Sequence, residues 1–306
     1  MPATQLPPAT HVMDLHSHIS LRNLAVIALV STAILLISIY RPAARDQIAP
    51  SSAIDFSPRM QMLGSFEESS ATASAAVAPL QPLSSVMTPR GQLSVSSASG
   101  LFSVEDEARL GADLERALSY VSERFGSGPS DTINAQINWE PSCGLHGIAY
   151  TQIRNTQVFT CPDLPRNRAV NIMAHEFVHQ LAQDRYGDAH LGADVILLEG
   201  VATWGAGEYW LGGSADFRSF VRPWLQNGSS LPLGISYVGR SISDMNTLYY
   251  QWGSFVEFLI QTYGREKFDA LYVSGSNNAP ASADYFGVYG KSFADLELEW
   301  RAWVLE

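Results

Sequence analysis

The sequence predicts an α+β domain over residues 101–306, and three observations predict it. Residues 133–139 alternate Ile133, Ala135, Ile137 and Trp139 with polar neighbours, the pattern of a half-buried strand. The stretches "GIAYTQ" and "TQVFTC" flank Arg154-Asn155 and read as a hairpin. Beyond Pro165 the apolar spacing turns helical and stays so to the C-terminus. A small sheet followed by a run of helices belongs to the α+β class.

The elements follow in order. Ser103 with Asp106 three residues on is a helix N-terminal signature. Leu110, Leu114, Leu118, Val121 and Phe125 then mark one helical face, and Gly126 ends it. After the strand and hairpin, Arg166–Gln183 reads as a helix, Val195–Leu211 as a second that Gly212-Gly213 stops, and Tyr249–Tyr263 as a third that Gly264 stops. A last helix opens at Ser292, with Asp295 three residues on, and is expected to bury Phe293, Leu296, Trp300 and Trp303.

Composition places the packed part in the same region. All seven Trp lie beyond residue 138. Residues 101–306 hold 25 Asp and Glu against 14 Lys and Arg, so the net charge of −11 belongs to them. An acidic surface repels phosphate, which argues against nucleic acid as a partner. Cys143 and Cys161 are the only cysteines, and they bracket the hairpin. They are either buried thiols or a disulfide stapling it, and the cellular compartment decides which.

Upstream, Leu24–Tyr40 ("LAVIALVSTAILLISIY") is seventeen residues without a charge. At about 1.5 Å per residue it reaches roughly 25 Å, just short of a hydrocarbon core of about 30 Å. No small-x-small cleavage pattern follows it, so it is expected to be an uncleaved transmembrane anchor rather than a removed signal. Residues 1–23 form a tail before it. Residues 41–100, nearly half Ser, Ala and Pro, are expected to be a disordered stalk. The domain is thereby expected outside the cytoplasm and tethered to the membrane, with the two cysteines bridged. Charge does not orient the anchor, since Arg22 precedes it and Arg41 and Arg45 follow.

The chemistry concentrates in "IMAHEFVHQL", residues 172–181. His175 and His179 are four apart, so on a helix their rings project from one face a turn apart and can meet one zinc ion. Glu176 is offset around the helix, close enough to touch a water on that ion. The competing reading is three polar residues on an ordinary helix. Against it, Ile172, Met173, Phe177, Val178 and Leu181 make the helix apolar, and burying two His and a Glu without partners costs several kcal/mol. Glu199 supplies a third ligand. It is the lone acid in the apolar run Val195–Ala206, and no Lys or Arg lies between Arg185 and Arg218. A histidine six residues beyond His179 would be the alternative, but that position is Arg185. His190, in "GDAHLG", is expected on an exposed loop.

"HEFVH" followed by "LLEGVATW" resembles the gluzincin branch of zinc metallopeptidases, and the peptidase MA-like domains in particular. "YYQWGSFVEFLIQTYG" (residues 249–264) and a terminal stretch carrying Phe286, Tyr289, Gly290, Lys291, Ser292, Leu296 and Trp300 extend the likeness over residues 101–306. The resemblance implies a zincin-like fold, zinc as cofactor and a peptide or protein substrate. It implies His175, His179 and Glu199 as ligands, Glu176 as catalytic acid and base, and Tyr249 as an oxyanion donor or, equally, a core aromatic. Better-known gluzincins have an Asp four residues past the ligand Glu to orient the first His; here that residue is Thr203. The expected function is a membrane-anchored zinc metallopeptidase. The alternative is a binding module that keeps zinc for stability without hydrolysis.

Overall fold

The computed structural model describes residues 86–87 and 90–306. The Leu24–Tyr40 anchor and most of the predicted stalk lie outside them. Among the described residues, no helix is long and apolar enough to cross a membrane.

The sheet comes first. Strands β1 (Val86–Met87), β2 (Leu93–Ser97), β3 (Ile133–Trp139), β4 (His146–Tyr150) and β5 (Asn155–Thr160) order as β1-β2-β3-β5-β4. β2, β3 and β5 run parallel, with Val95 opposite Ala135 and Ile137 opposite Val158. β4 returns antiparallel to β5, with Ile148 opposite Gln157, and closes one edge of the sheet. The alternation in β3 buries Ile133, Ala135 and Ile137, whereas Trp139 at its end is half exposed. The hairpin is present, its turn a short 3-10 segment, Thr151–Ile153. A Cys143–Cys161 disulfide staples it, with the two Cα atoms 4.9 Å apart. Closing a loop of this size contributes about 3 kcal/mol in the chain-entropy account.

β2 corrects the reading of residues 41–100 as stalk throughout. "LSVSS" is polar in composition, yet Leu93 and Val95 are buried in the core and the strand pairs with β3. The domain therefore begins before Leu101.

Helix α1 (Val104–Phe125) links β2 to β3. Ser103 accepts a hydrogen bond from Asp106 N–H at its start, and Gly126 caps its end in the left-handed region. Its Leu110, Leu114, Leu118, Val121 and Phe125 are all buried, as their spacing predicts. Helix α2 (Arg166–Tyr186) packs beside α1 and against the inner face of the sheet. The rest is helical: α3 (Val195–Ala206), α4 (Glu208–Leu211), α5 (Phe217–Gln226), α6 (Ile242–Tyr263), α7 (Arg265–Tyr272), α8 (Tyr285–Tyr289) and α9 (Phe293–Leu305). The fold is α+β, a small sheet and a mainly helical remainder sharing one apolar cluster.

Helix boundaries differ from expectation in places. The predicted helix over Val195–Leu211 breaks at Gly207, whose φ is +48°, and the freed Glu208 N–H donates to Tyr120 Oη at 2.9 Å. The predicted Tyr249 helix begins earlier, at Ile242, because Ser241 accepts from Asp244 N–H. In α9 the Ser292–Asp295 capping box forms and Leu296, Trp300 and Val304 are buried, while Phe293 and Trp303 are partly buried.

Candidate metal centre

α2 is buried through most of its length, which is why its polar residues need explanation. His175, Glu176 and His179 are each more than nine-tenths buried. α3 crosses nearby and delivers Glu199, packing closely against α6 at Gly200. A Cβ at Gly200 would lie 2.8 Å from Trp252 O, so a larger residue would push α3 and its carboxylate away.

Three ligand atoms meet. His175 Nε2 lies 3.2 Å from His179 Nε2 and 3.2 Å from Glu199 Oε2, and the His179 Nε2–Glu199 Oε2 distance is 3.6 Å. In a tetrahedral shell with zinc bonds of about 2.0–2.1 Å, neighbouring ligand atoms stand roughly 3.3 Å apart. The triangle fits a zinc ion in both size and donor type, two imidazole nitrogens and one carboxylate oxygen.

The electrostatics are those of a site that attracts a cation. Burial works to raise the Glu199 carboxyl, but hydrogen bonds to His175 and His179 outweigh it and hold it well below its usual range. Burial likewise lowers His175, against the pull of Glu199. His179 is raised, because Glu199 and Glu176 outweigh its burial. Burial pushes Glu176 up to about 8, with His179 opposing the rise. A divalent cation on the triangle acts in the opposite direction and favours an ionised Glu176.

Glu176 stands against the edge strand. A Cβ at Gly147 in β4 would overlap the Glu176 carboxylate and lie 2.7 Å from Ile172 Cγ2. A glycine inside a strand pattern is a signal for such close approach, and it was present in the sequence. Tyr249, near the middle of α6, lies beside His175 with ring centroids 5.8 Å apart, and Trp210 stacks on the same imidazole at 4.9 Å. Burial lifts the Tyr249 phenol well above its ordinary value, and its hydrogen bond to Glu199 and that residue's charge add to the effect. Tyr249 is therefore protonated and lines the cleft.

His190 corrects the expectation of an exposed loop. It sits in a 3-10 segment, Gly187–Gly192, and is buried. Its Nδ1 lies 2.8 Å from Tyr272 Oη, its ring is 5.8 Å from that of His179, and it lines the cleft. Burial drives it down to about 3, so it is a neutral imidazole. Thr203 makes no hydrogen bond to His175: His175 Nδ1 and Thr203 Oγ1 are both buried without a partner among the described residues. Thr203 thus does not replace the orienting Asp of better-known gluzincins.

The site opens into a cavity of about 480 Å³, bounded on one side by β4 residues and on others by α2, α3, Trp210, Tyr249 and Asn278. Asp194 fixes the Asn278 side. It caps α3 at Ile196 N–H and also accepts from Ala281 N–H, Ala283 N–H and Tyr285 Oη–H.

No protein-family model matches the chain, and no curated protein matches it. Solved structures do. An M1 zinc metallopeptidase from Deinococcus radiodurans is 19% identical over 73% of this chain, with a TM-score of 0.40, and a mutant of it matches equally. A mutant two-domain M1 zinc metallopeptidase bound to L-arginine is 17% identical over 74% of this chain, with a TM-score of 0.42. The chain spans about half the length of these proteins, covering 52% of each. At such scores the likeness carries no functional weight, which rests on the geometry above.

Proposed function

We propose that this protein is a zinc-dependent peptidase, held at a membrane by Leu24–Tyr40 with its domain outside the cytoplasm. The observation that carries the catalytic part is the ligand triangle with Glu176 beside it. A carboxylate adjacent to a bound metal but not needed to hold it has no structural use, and its position against β4 accounts for a glycine at 147. His175, His179 and Glu199 would hold the ion. A zinc ion there supplies a Lewis acid and a water of lowered pKa.

The chain's own groups do the rest. Glu176 accepts a proton from the attacking water and returns it to the leaving amine. Tyr249, protonated and beside His175, is placed to donate a hydrogen bond to the developing oxyanion. β4 pairs with β5 on one side only among the described strands, so its other edge is free to pair with an extended peptide. The disulfide supports the extracytoplasmic placement, since such bridges persist in oxidising compartments.

Glu176→Gln tests the mechanism. The variant should keep its zinc and its fold while peptide hydrolysis falls by at least about 100-fold. Turnover near the wild-type rate would exclude Glu176 as the proton carrier. The second reading, a non-hydrolytic zinc-stabilised binding module, predicts zinc in the wild type with no hydrolysis of any peptide.

A further inference from the structure

A peptidase either trims chain ends or cuts inside chains, and the two tasks need different charges in the cleft. Trimming from the amino end requires a carboxylate for the free α-ammonium. Trimming from the carboxyl end requires Arg or Lys for the α-carboxylate. Building on the peptidase reading, we infer that this cleft is that of an endopeptidase, which takes an extended, uncharged stretch of polypeptide along β4 and recognises neither terminus.

Its lining has no terminal anchor. Among the described residues, Glu176 and Glu199 are the only acids that border the cavity, and no Lys or Arg does. Glu199 is engaged by His175, His179 and Tyr249. Glu176 is turned against Gly147 as the proton carrier. Neither is free to hold an α-ammonium. Arg168 borders a second crevice, of about 10 Å³, together with Trp210 and Tyr250. Such a space barely admits one water, and a carboxylate does not fit.

The cleft also continues past the catalytic glutamate in both directions. β4 and α2 run the same way. Gly147 faces Glu176, while Thr151 Oγ1 donates to Gln183 Oε1 at 3.1 Å, one turn beyond His179. At the other end, Leu145 meets Ile172, one turn before Glu176, together with Trp210. β4 has one residue before Gly147 and three after it, and the lining continues to Leu145 and Thr151, so a peptide paired with β4 extends to both sides of Glu176 at about 3.3 Å per residue. An exopeptidase closes one of these ends; here both are lined. One end is apolar, with Leu145, Ile172 and Trp210. The other carries His190, Leu191 and Asn278. Uncharged residues suit both, with a large apolar residue favoured at the Trp210 end, and the −11 net charge disfavours acidic stretches.

The test uses the zinc-loaded full-length chain and matched peptides of one internal sequence, their ends either free or acetylated and amidated. Aminoacyl arylamides serve as end-trimming substrates. Internal cleavage of free and blocked peptides with kcat/KM values within about twofold, and arylamide turnover at least about 100-fold slower, is the expected result. Loss of about tenfold or more on blocking either end, or cleavage confined to terminal bonds, would overturn the inference. A second arm measures binding of the same peptides to zinc-loaded Glu176→Gln protein by fluorescence anisotropy. Equal binding of free and blocked peptides without any wild-type hydrolysis would sink the peptidase reading while supporting terminus-independent recognition. Binding that requires a free end, or no binding of any peptide, would sink the inference itself.

Discussion

Helix α2 carries two polar clusters about two turns apart, one partly and one fully buried, and they are built in opposite ways. At Asp184 the carboxylate is met from every side by donors. Arg154 Nη1 and Nη2 donate to its two oxygens at 2.5 and 3.1 Å, Ser130 N–H donates at 2.9 Å, and Gln180 Nε2 at 3.1 Å. Burial works to raise this carboxyl, and these partners overcome it and hold it below its ordinary value. At Glu199 no Lys or Arg approaches among the described residues. Two imidazole nitrogens and a carboxylate oxygen converge on one point. The first cluster is closed and neutralised by the chain. The second gathers the donor types that hold a cation, and it borders the cavity of about 480 Å³. Polar burial with all partners present reads as structure; polar burial that gathers ligand-type atoms at one point beside a cavity reads as a candidate site.

The largest effect that would break this contrast is at the ligands. Glu199→Ala should weaken zinc binding by more than the roughly 10–100-fold that loss of an outer partner costs. Titration against a zinc indicator measures it, and parental affinity would contradict the ligand assignment. Glu208→Ala, exposed on α4, is the matched control and should bind zinc as the parent does.

Asp184→Ala should do the reverse. It leaves zinc affinity unchanged but removes the carboxylate partner of Arg154, which keeps its bonds to Ser130, Asp131 and Thr132, at a cost of about 2 kcal/mol in unfolding free energy. Denaturant melts of zinc-loaded protein report it. A stability loss under about 0.5 kcal/mol would make the pair a surface decoration.

Gly147→Ala comes next, since it moves Glu176 without touching a ligand. Zinc content should be unchanged while kcat falls about tenfold, the extra methyl forcing the carboxylate off its position. Equal kcat would mean that the carboxylate shifts without consequence, and the contact with β4 would lose its catalytic meaning.

The smallest effect is in the pH dependence. A carboxyl depressed in the folded state contributes stability above its unfolded pKa of about 3.9 and loses it as pH falls through the folded value. Asp184 is depressed, so the parent should lose stability below about pH 4 more steeply than Asp184→Asn. Parallel curves in that window would show that the Arg154 clamp does not depend on the Asp184 charge.

The two clusters were not equally legible in the sequence. His175, Glu176, His179 and Glu199 stood out because local spacing and an apolar context are properties of a short window. The caps at Ser103 and Ser292, the α1 face and the alternation in β3 were local in the same sense. What the sequence concealed depends on partners far along the chain. The serines of β2 look solvent-bound in sequence; it is a strand through pairing with β1 and, across the whole of α1, with β3. His190 sits in a loop-like sequence, and its partner is Tyr272, 82 residues away. The helix break at Gly207 depends on the Tyr120 hydroxyl. Arg154 reads locally as a turn residue, and nothing in its neighbourhood announces that it reaches Asp184. Gly147 and the Ser241 cap were within reach, since a glycine inside a strand pattern and a Ser-x-x-Asp start are local signals.

Metal content tests the central claim most directly. The full-length protein, purified without chelator and dialysed against trace zinc, is measured by elemental analysis beside its His175→Ala/His179→Ala variant and beside Asp184→Ala. About one zinc per chain in the parent and in Asp184→Ala, and almost none in the double variant, is the predicted result. Equal zinc in the parent and the double variant, or none in the parent, would contradict the metal centre.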